Sequence, residues 1–244
     1  MDGIILSFQL FTRIPLKKNV DFNEKNLKVA LYFLPLIGGL IGAFTGVVLK
    51  FFNDKSNFLG GAFGLLAYFF ISGGLHLDGL SDTIDGFLSN RDRKKTLEIM
   101  KDSLIGTFGT LALITYFFLK FSLYGTLTKD TIVTLVLVSF LSRLSAIWII
   151  FRGRLARPGG FGSKMRESIG EDYKLLILYL VLGLIITYFY NRFLIGLVSV
   201  ILVSEIINYI SLKKIGGVTG DVYGATIEVN EIVGLVILGG ILWI

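Results

Sequence analysis

Long apolar runs alternate with short charged segments along this chain. Runs near 31–52, 57–74, 104–124, 131–151, 174–190 and 193–210 reach or approach the ~20 apolar residues that a bilayer core demands. A seventh run, 232–244, is too short alone and spans only if its helix begins earlier, near Val222. The opening stretch MDGIILSFQLFTRIP reads as a short interfacial helix ended by Arg13 and Pro15. It carries an acid where a secretory signal has a basic region, and no small-residue cleavage site follows. The pattern predicts an all-α fold, a polytopic transmembrane helical bundle of about seven spans, within a range of roughly six to eight. No linker or low-complexity segment breaks it, so residues 1–244 read as a single integral-membrane catalytic domain. Glycine recurs inside the runs, in IGGLIGAFTG and GGAFG, and small residues let membrane helices approach closely.

Composition agrees. The chain is 53% hydrophobic with a mean hydropathy of +0.73. Charged residues are 17%, against about 25% in ordinary soluble domains. The absence of cysteine excludes disulfides and thiolate chemistry, and the single histidine, His76, excludes a multi-histidine metal site within one chain. Any metal here is a hard ion held by carboxylates. The net charge of +6 has no soluble domain on which to gather, so no nucleic-acid partner is expected.

The placement of Lys and Arg predicts an orientation. Segments 13–28, 73–102, 152–174 and 211–230 carry 5, 5, 6 and 2 of them, whereas 50–57, 120–130 and 191–192 carry 2, 2 and 1. The two sets alternate, and the positive-inside rule puts the richer set in the cytoplasm and the C-terminus outside. The richer segments are also the longer ones, and they hold most of the acids and the Gly-rich turns, so a multi-pass protein of the cell (cytoplasmic) membrane is expected to have its chemistry on the cytoplasmic face.

The stretch HLDGLSDTIDG, 76–86, stands at that face. Asp78, Asp82 and Asp85 are spaced i, i+4, i+7 and share one face of a helix. Acids in a first turn also suit the helix dipole, but three on one stripe repel unless a cation sits among them. The favoured reading is a Mg²⁺ site completed by a phosphate. In KDSLIG, Lys101 is placed to meet a phosphate and Asp102 to serve as a further ligand or a base. In FRGRLARPGGFG, Arg152, Arg154 and Arg157 offer guanidinium forks to phosphate oxygens, or form an ordinary basic loop. In KKIGGVTGDVYGATIEVNE, Gly216, Gly217, Thr219 and Gly220 surround Asp221, a candidate metal ligand, in a turn whose backbone N–H groups suit phosphate. Glu228 and Glu231 read as the wet start of the last span. Arg143 and Glu205 fall inside apolar runs, where they pair structurally or line a cavity floor.

FTRIPL, HLDGLSDTIDG, RKKTLEIMKDSLIGTFG and KIGGVTGDVYGATIE, in this order over residues 8 to 231, resemble the cobalamin-5'-phosphate synthase family, also called adenosylcobinamide-GDP ribazoletransferases. The ARPGGFG loop looks like a looser version of the family's. The resemblance implies a Mg²⁺-dependent membrane phosphotransferase that joins adenosylcobinamide-GDP to α-ribazole or its 5'-phosphate and releases GMP, a late step of coenzyme B12 assembly. On that reading Asp78, Asp82, Asp85 and Asp221 hold metal, with Asp102 as an alternative ligand. His76, Asp82 and Asp102 are the candidates for proton transfer, and the partners are these substrates and the lipid bilayer, with a homo-oligomer left open. DTIDG also resembles the core of the CDP-alcohol phosphotransferases, so an intramembrane prenyl- or CDP-alcohol-type transferase is the rival. A cation-coupled transporter is a third reading, but the acids sit at one face and no internal repeat is visible.

Overall fold

A computed structural model describes residues 1–127 and 130–239. Its helices are α1 (Asp2–Phe11), α2 (Glu24–Asn53), α3 (Asn57–Ser72), α4 (Leu75–Leu88), α5 (Arg93–Ile99), α6 (Thr107–Thr126), α7 (Thr131–Arg152), α8 (Phe161–Ile169), α9 (Lys174–Phe189), α10 (Arg192–Ile215) and α11 (Gly220–Leu238). The described residues form no strand; an isolated parallel bridge joins Leu155 and Val218.

The apolar runs become helices where the sequence predicts them. By length and apolarity, α2, α6, α7 and α10 can each cross a membrane, and the number rises from four to six if α3 with α4 and α8 with α9 are bent spans. The seventh run does begin earlier, since α11 starts at Gly220; its residues 240–244 lie outside the described residues. α11 carries Asp221, Glu228 and Glu231 and falls outside this set.

α2 shows how burial is divided. Leu36, Leu40, Phe44, Val47 and Phe51 are exposed in steps of three or four along one face, whereas Leu27, Leu31, Leu34, Ile41 and Leu49 are buried. An exposed apolar stripe on a long helix suits lipid, because water would not tolerate it. On another face Gly38, Gly42 and Gly46 meet α7. A Cβ at Gly38 or Gly42 would strike the carbonyl oxygens of Ser139 and Leu135, and one at Gly46 would lie 2.9 Å from the Cα of Ile132. The glycines thus allow α2 and α7 to meet backbone to backbone.

Two residues aim the site. Gly73 ends α3 and Gly74 begins α4, with φ of +72° and +73°. Consecutive left-handed residues are readily adopted only by glycine, and here they turn the chain by 96°. α4 therefore leaves the spanning segment and lies across the end of the bundle. It packs there against α6 and the first half of α11 through Leu77, Leu80, Tyr116 and Ala225. α1 packs on the start of α2 and brings Phe11 to the same end.

The interior holds charges that hydropathy misplaced. Lys120, counted with a loop, is 0% exposed, and Glu228 and Glu231, read as wet, are each 1% exposed. Helix continuity pulls all three inside, where Glu231 pairs with Lys120 and Arg143, and Glu228 accepts hydrogen bonds from Tyr68 and Tyr116. Glu205 instead accepts from Trp148 Nε1 at 2.7 Å and faces Arg152. Without Lys120 the poorer set of basic residues falls from 5 to 4, against 18 in the other; Lys129 of that set lies outside the described residues.

Candidate active site

α4 crosses the start of α11 backbone to backbone. A Cβ on Gly79 would lie 2.7 Å from the carbonyl oxygen of Asp221, and one on Gly224 would lie 3.1 Å from that of His76. The glycines at the crossing bring Asp78 and Asp82 on α4 up to the segment that carries Asp221. Thr219 caps α11, accepting from Val222 N–H and donating from its hydroxyl to Asp221 Oδ2 at 3.0 Å.

The aspartates have different surroundings. Asp78 is exposed and Asp82 half-buried, and among the described residues neither forms an ion pair. Burial pushes the Asp82 carboxyl up to about 7, helped by the negative charges of Asp78, Asp221 and Asp85. Asp221 faces Arg157, 3.6 Å away. Asp85 is buried, and the N–H groups of Gly106 and Gly109 donate to its two oxygens, each at 2.8 Å. A carboxylate on the open N–H groups of a helix start is favourable electrostatically. Any Cβ at Gly106 or Gly109 would collide with that carboxylate, which accounts for both glycines of IGTFG. As placed, no three His, Asp or Glu side chains among the described residues form a group that could hold an ion. The donor chemistry nonetheless fits a hard cation: oxygen ligands only, an excess of negative charge, and no cationic partner among the described residues on Asp78 or Asp82.

Beside the aspartates lies a cavity of about 270 Å³. His76, Asp78, Asp221, Arg157 and Thr219 contribute polar lining, and the starts of α8 and α11, at Gly160–Ser163 and Thr219–Asp221, both border it. Arg157 also donates to the carbonyl of Leu97 at 3.2 Å, which ties α5 to the site. His76 is buried, with Nδ1 3.8 Å from Glu228 Oε1.

The structure brings His76, Asp78, Arg157, Thr219, Gly220 and Asp221 to one cavity, with Asp82 alongside on α4. It separates others. Lys101 and Asp102 are exposed, with Asp102 accepting from Leu104 N–H, and no hydrogen bond or ion pair among the described residues joins them to α4 or α11. Arg152 turns to Glu205, and Arg154 is exposed. Gly216 ends α10 at φ +75°, and Gly217 lets its chain touch the 154–156 backbone, so both serve the fold around the Leu155–Val218 bridge. Sequence reasoning missed Phe11, Tyr223 and the start of α8 as lining. PGGFGS, a Gly-rich helix start, was the signal for the last of these.

A family model described as Cobalamin-5-phosphate synthase matches residues 3–239. A Treponema denticola protein named adenosylcobinamide-GDP ribazoletransferase is 39% identical, covering 95% of both chains. Proteins of the same name from Clostridium botulinum strain Langeland and Clostridium kluyveri are 37% and 32% identical, covering 98% of this chain and 97% and 96% of theirs. No solved structure matches the chain.

Proposed function

The chain belongs to the cobalamin-5-phosphate synthase family, and on that premise we propose that it joins adenosylcobinamide-GDP to α-ribazole, or to its 5'-phosphate, with release of GMP. The observation that carries this reading is the meeting of α4 and the start of α11. It brings Asp78 and Asp221, 143 positions apart in sequence, to one cavity, with Asp82 one turn further along α4.

In this reading Asp78, Asp82 and Asp221 would hold Mg²⁺, which when bound would supply charge neutralisation to the diphosphate. Arg157, already against Asp221, offers its guanidinium to a phosphate oxygen. The open N–H groups at the start of α11 favour the same anionic group. His76, or an aspartate that does not hold the ion, takes the proton of the attacking ribose hydroxyl. One O–P bond forms to the phosphate next to cobinamide, and the bond to the GMP oxygen breaks. A product that keeps its 5'-phosphate requires a ribose hydroxyl other than the 5' one as nucleophile. Asp85 positions α6 against α4 rather than touching substrate.

The four to six apolar helices suggest a membrane protein, and we propose that it sits in the cell membrane, with the cavity on the cytoplasmic side and the C-terminus outside. The asymmetry of basic residues supports this orientation. The test is GMP release by purified, detergent-solubilised protein given adenosylcobinamide-GDP and α-ribazole, with and without Mg²⁺. Release that needs both substrates and Mg²⁺ is expected. No release, or release insensitive to Mg²⁺ removal, overturns the reading or its metal, respectively.

A further inference from the structure

We infer that Glu228 is a positioning residue for the chemistry: it holds His76 as the tautomer with its proton on Nδ1, and so presents Nε2 to the cavity as a hydrogen-bond acceptor. The inference rests on the proposed reaction and assigns the atom that accepts the hydroxyl proton in it.

The close crossing of α4 and α11 brings the two side chains together. Gly224 meets the backbone of His76, where a Cβ would lie 3.3 Å from its Cα. Glu228 follows four positions later, on the same face of α11. Its Oε1 lies 3.8 Å from His76 Nδ1. Tyr68 donates to that oxygen at 2.8 Å, and Tyr116 donates to Oε2, with Lys120 Nζ on the same side. A carboxylate oxygen has two acceptor sites. Tyr68 takes one site of Oε1, and the imidazole faces the oxygen with the other open. The two hydroxyls fix the carboxylate, and the carboxylate in turn fixes the ring.

Electrostatics then choose the tautomer. Inside the bundle Lys120 and Arg143 already match Glu228 and Glu231 in number, so the imidazole beside them is accommodated neutral. A neutral imidazole carries one N–H and one lone pair. A lone pair on Nδ1 would be repelled by the carboxylate, whereas a proton there is attracted, so the proton goes to Nδ1. The separation is longer than a hydrogen bond, and contacts of this kind often tighten only as substrate binds.

Nε2 lies on the opposite edge of the ring, and His76 lines the cavity. No hydrogen bond among the described residues reaches Nε2, nor is it among the buried polar atoms left without a partner, so it keeps accessible surface. In the proposed reaction the attacking hydroxyl donates to Nε2. Its proton passes there as the oxygen bonds to phosphorus and the bond to the GMP oxygen breaks. Glu228 thereby serves the site as well as the bundle.

The chain has a single histidine, so nitrogen NMR of protein labelled at histidine reads His76 alone. Nε2 couples to both ring C–H groups and Nδ1 strongly to one, which tells them apart. At about pH 8, above the usual histidine range, wild type should carry its proton on Nδ1. Glu228→Gln should give a mixture, because a neutral amide offers either a donor or an acceptor. The same variant should lower kcat for GMP release about tenfold or more and leave KM for both substrates unchanged, whereas His76→Ala should lower it about a hundredfold, as loss of a proton-transfer group does. Added to His76→Ala, Glu228→Gln should cost no further turnover, since it acts through the imidazole. If a variant fails to fold, the wild-type spectrum decides alone. A proton on Nε2 in wild type, alone or with one on Nδ1, overturns the inference, and so does an equal loss of kcat with and without the imidazole. No GMP release by wild type with both substrates and Mg²⁺ overturns the reaction, while the spectrum still decides the tautomer.

Discussion

α11 carries carboxylates into two opposite situations. At its start, Asp221 joins Asp78 and Asp82, two of them with no cationic partner among the described residues. Glu228 and Glu231 lie roughly 10 and 15 Å further along the helix, at 1.5 Å per residue. There the carboxylates are engaged from several sides. Glu231 faces Arg143, Lys120, Ser139 and Ser142, and Glu228 faces Tyr68, Tyr116 and Lys120. The difference follows from the surroundings. Inside the bundle an uncompensated charge is too costly to persist, so neutralisation is built into the fold. At the bundle's end, partial contact with water lets negative charge stand uncompensated, and that surplus is available to a cation. Interior carboxylates should therefore govern stability, and those at the end should govern turnover.

The comparison breaks first if Glu231 proves dispensable. Glu231→Gln leaves Lys120 and Arg143 buried with one carboxylate fewer, and removing one partner of a buried ion pair costs about 3–5 kcal/mol. A large fall in thermal unfolding temperature in detergent is expected. A variant as stable as wild type would show that the network is not what holds α6, α7 and α11 together.

Asp82→Asn tests the other half. It should unfold no more readily than wild type, and less readily at neutral pH without a cation, while GMP release falls at least about a hundredfold, the scale of losing a group that stabilises transition-state charge. Near-normal turnover at saturating Mg²⁺ removes Asp82 from the ligand set.

Asp85 sits between the two classes. It belongs to the acidic stripe by spacing, yet it is buried and paired with the start of α6. Asp85→Asn should cost about 1.5–3 kcal/mol, the range for hydrogen bonds to a charged group, and leave measurable turnover. Thermal unfolding together with GMP release decides it. Loss of turnover as complete as in Asp82→Asn, at unchanged stability, would return Asp85 to the metal site.

The fate of Asp85 also shows how far the sequence could be read. The i, i+4, i+7 spacing placed three acids on one face correctly, but which oxygen meets which donor depends on the arrival of α6, a tertiary event. The spans were legible because apolar runs of bilayer length have few alternatives, and the glycines of IGGLIGAFTG do pack against another helix. Lys120, Glu228 and Glu231 were misread for one reason. A window of residues sees a charge near the edge of an apolar run and assigns it to water, whereas pairing across helices lets it stay inside. Arg143 was recognised as interior, but its partner, Glu231, lies 88 positions away on a helix whose start was uncertain.

The smallest expected effect is the pH dependence of cation binding, and it depends on the surplus charge most directly. In the cation-free protein the Asp82 carboxyl lies at about 7, raised from 3.8 by burial first and then by Asp78, Asp221 and Asp85. A raised carboxyl pKa means that the folded state keeps a proton that the unfolded state has lost. From pH of about 4 to about 7 the unfolded chain therefore binds fewer protons, and the stability contributed by Asp82 falls as pH rises through that window, then levels off. A cation binding to Asp82 must displace the same proton. Its apparent affinity should rise with pH by up to about tenfold per unit below pH 7, the limit for one released proton, and flatten above it. Asp82→Asn should abolish both trends. Mg²⁺ titrations of the purified protein between roughly pH 5.5 and 8 measure this directly. Equal affinity across that range would mean that Asp82 is ionised without a cation, and that the end of the bundle neutralises its charge by contacts of its own, as the interior does.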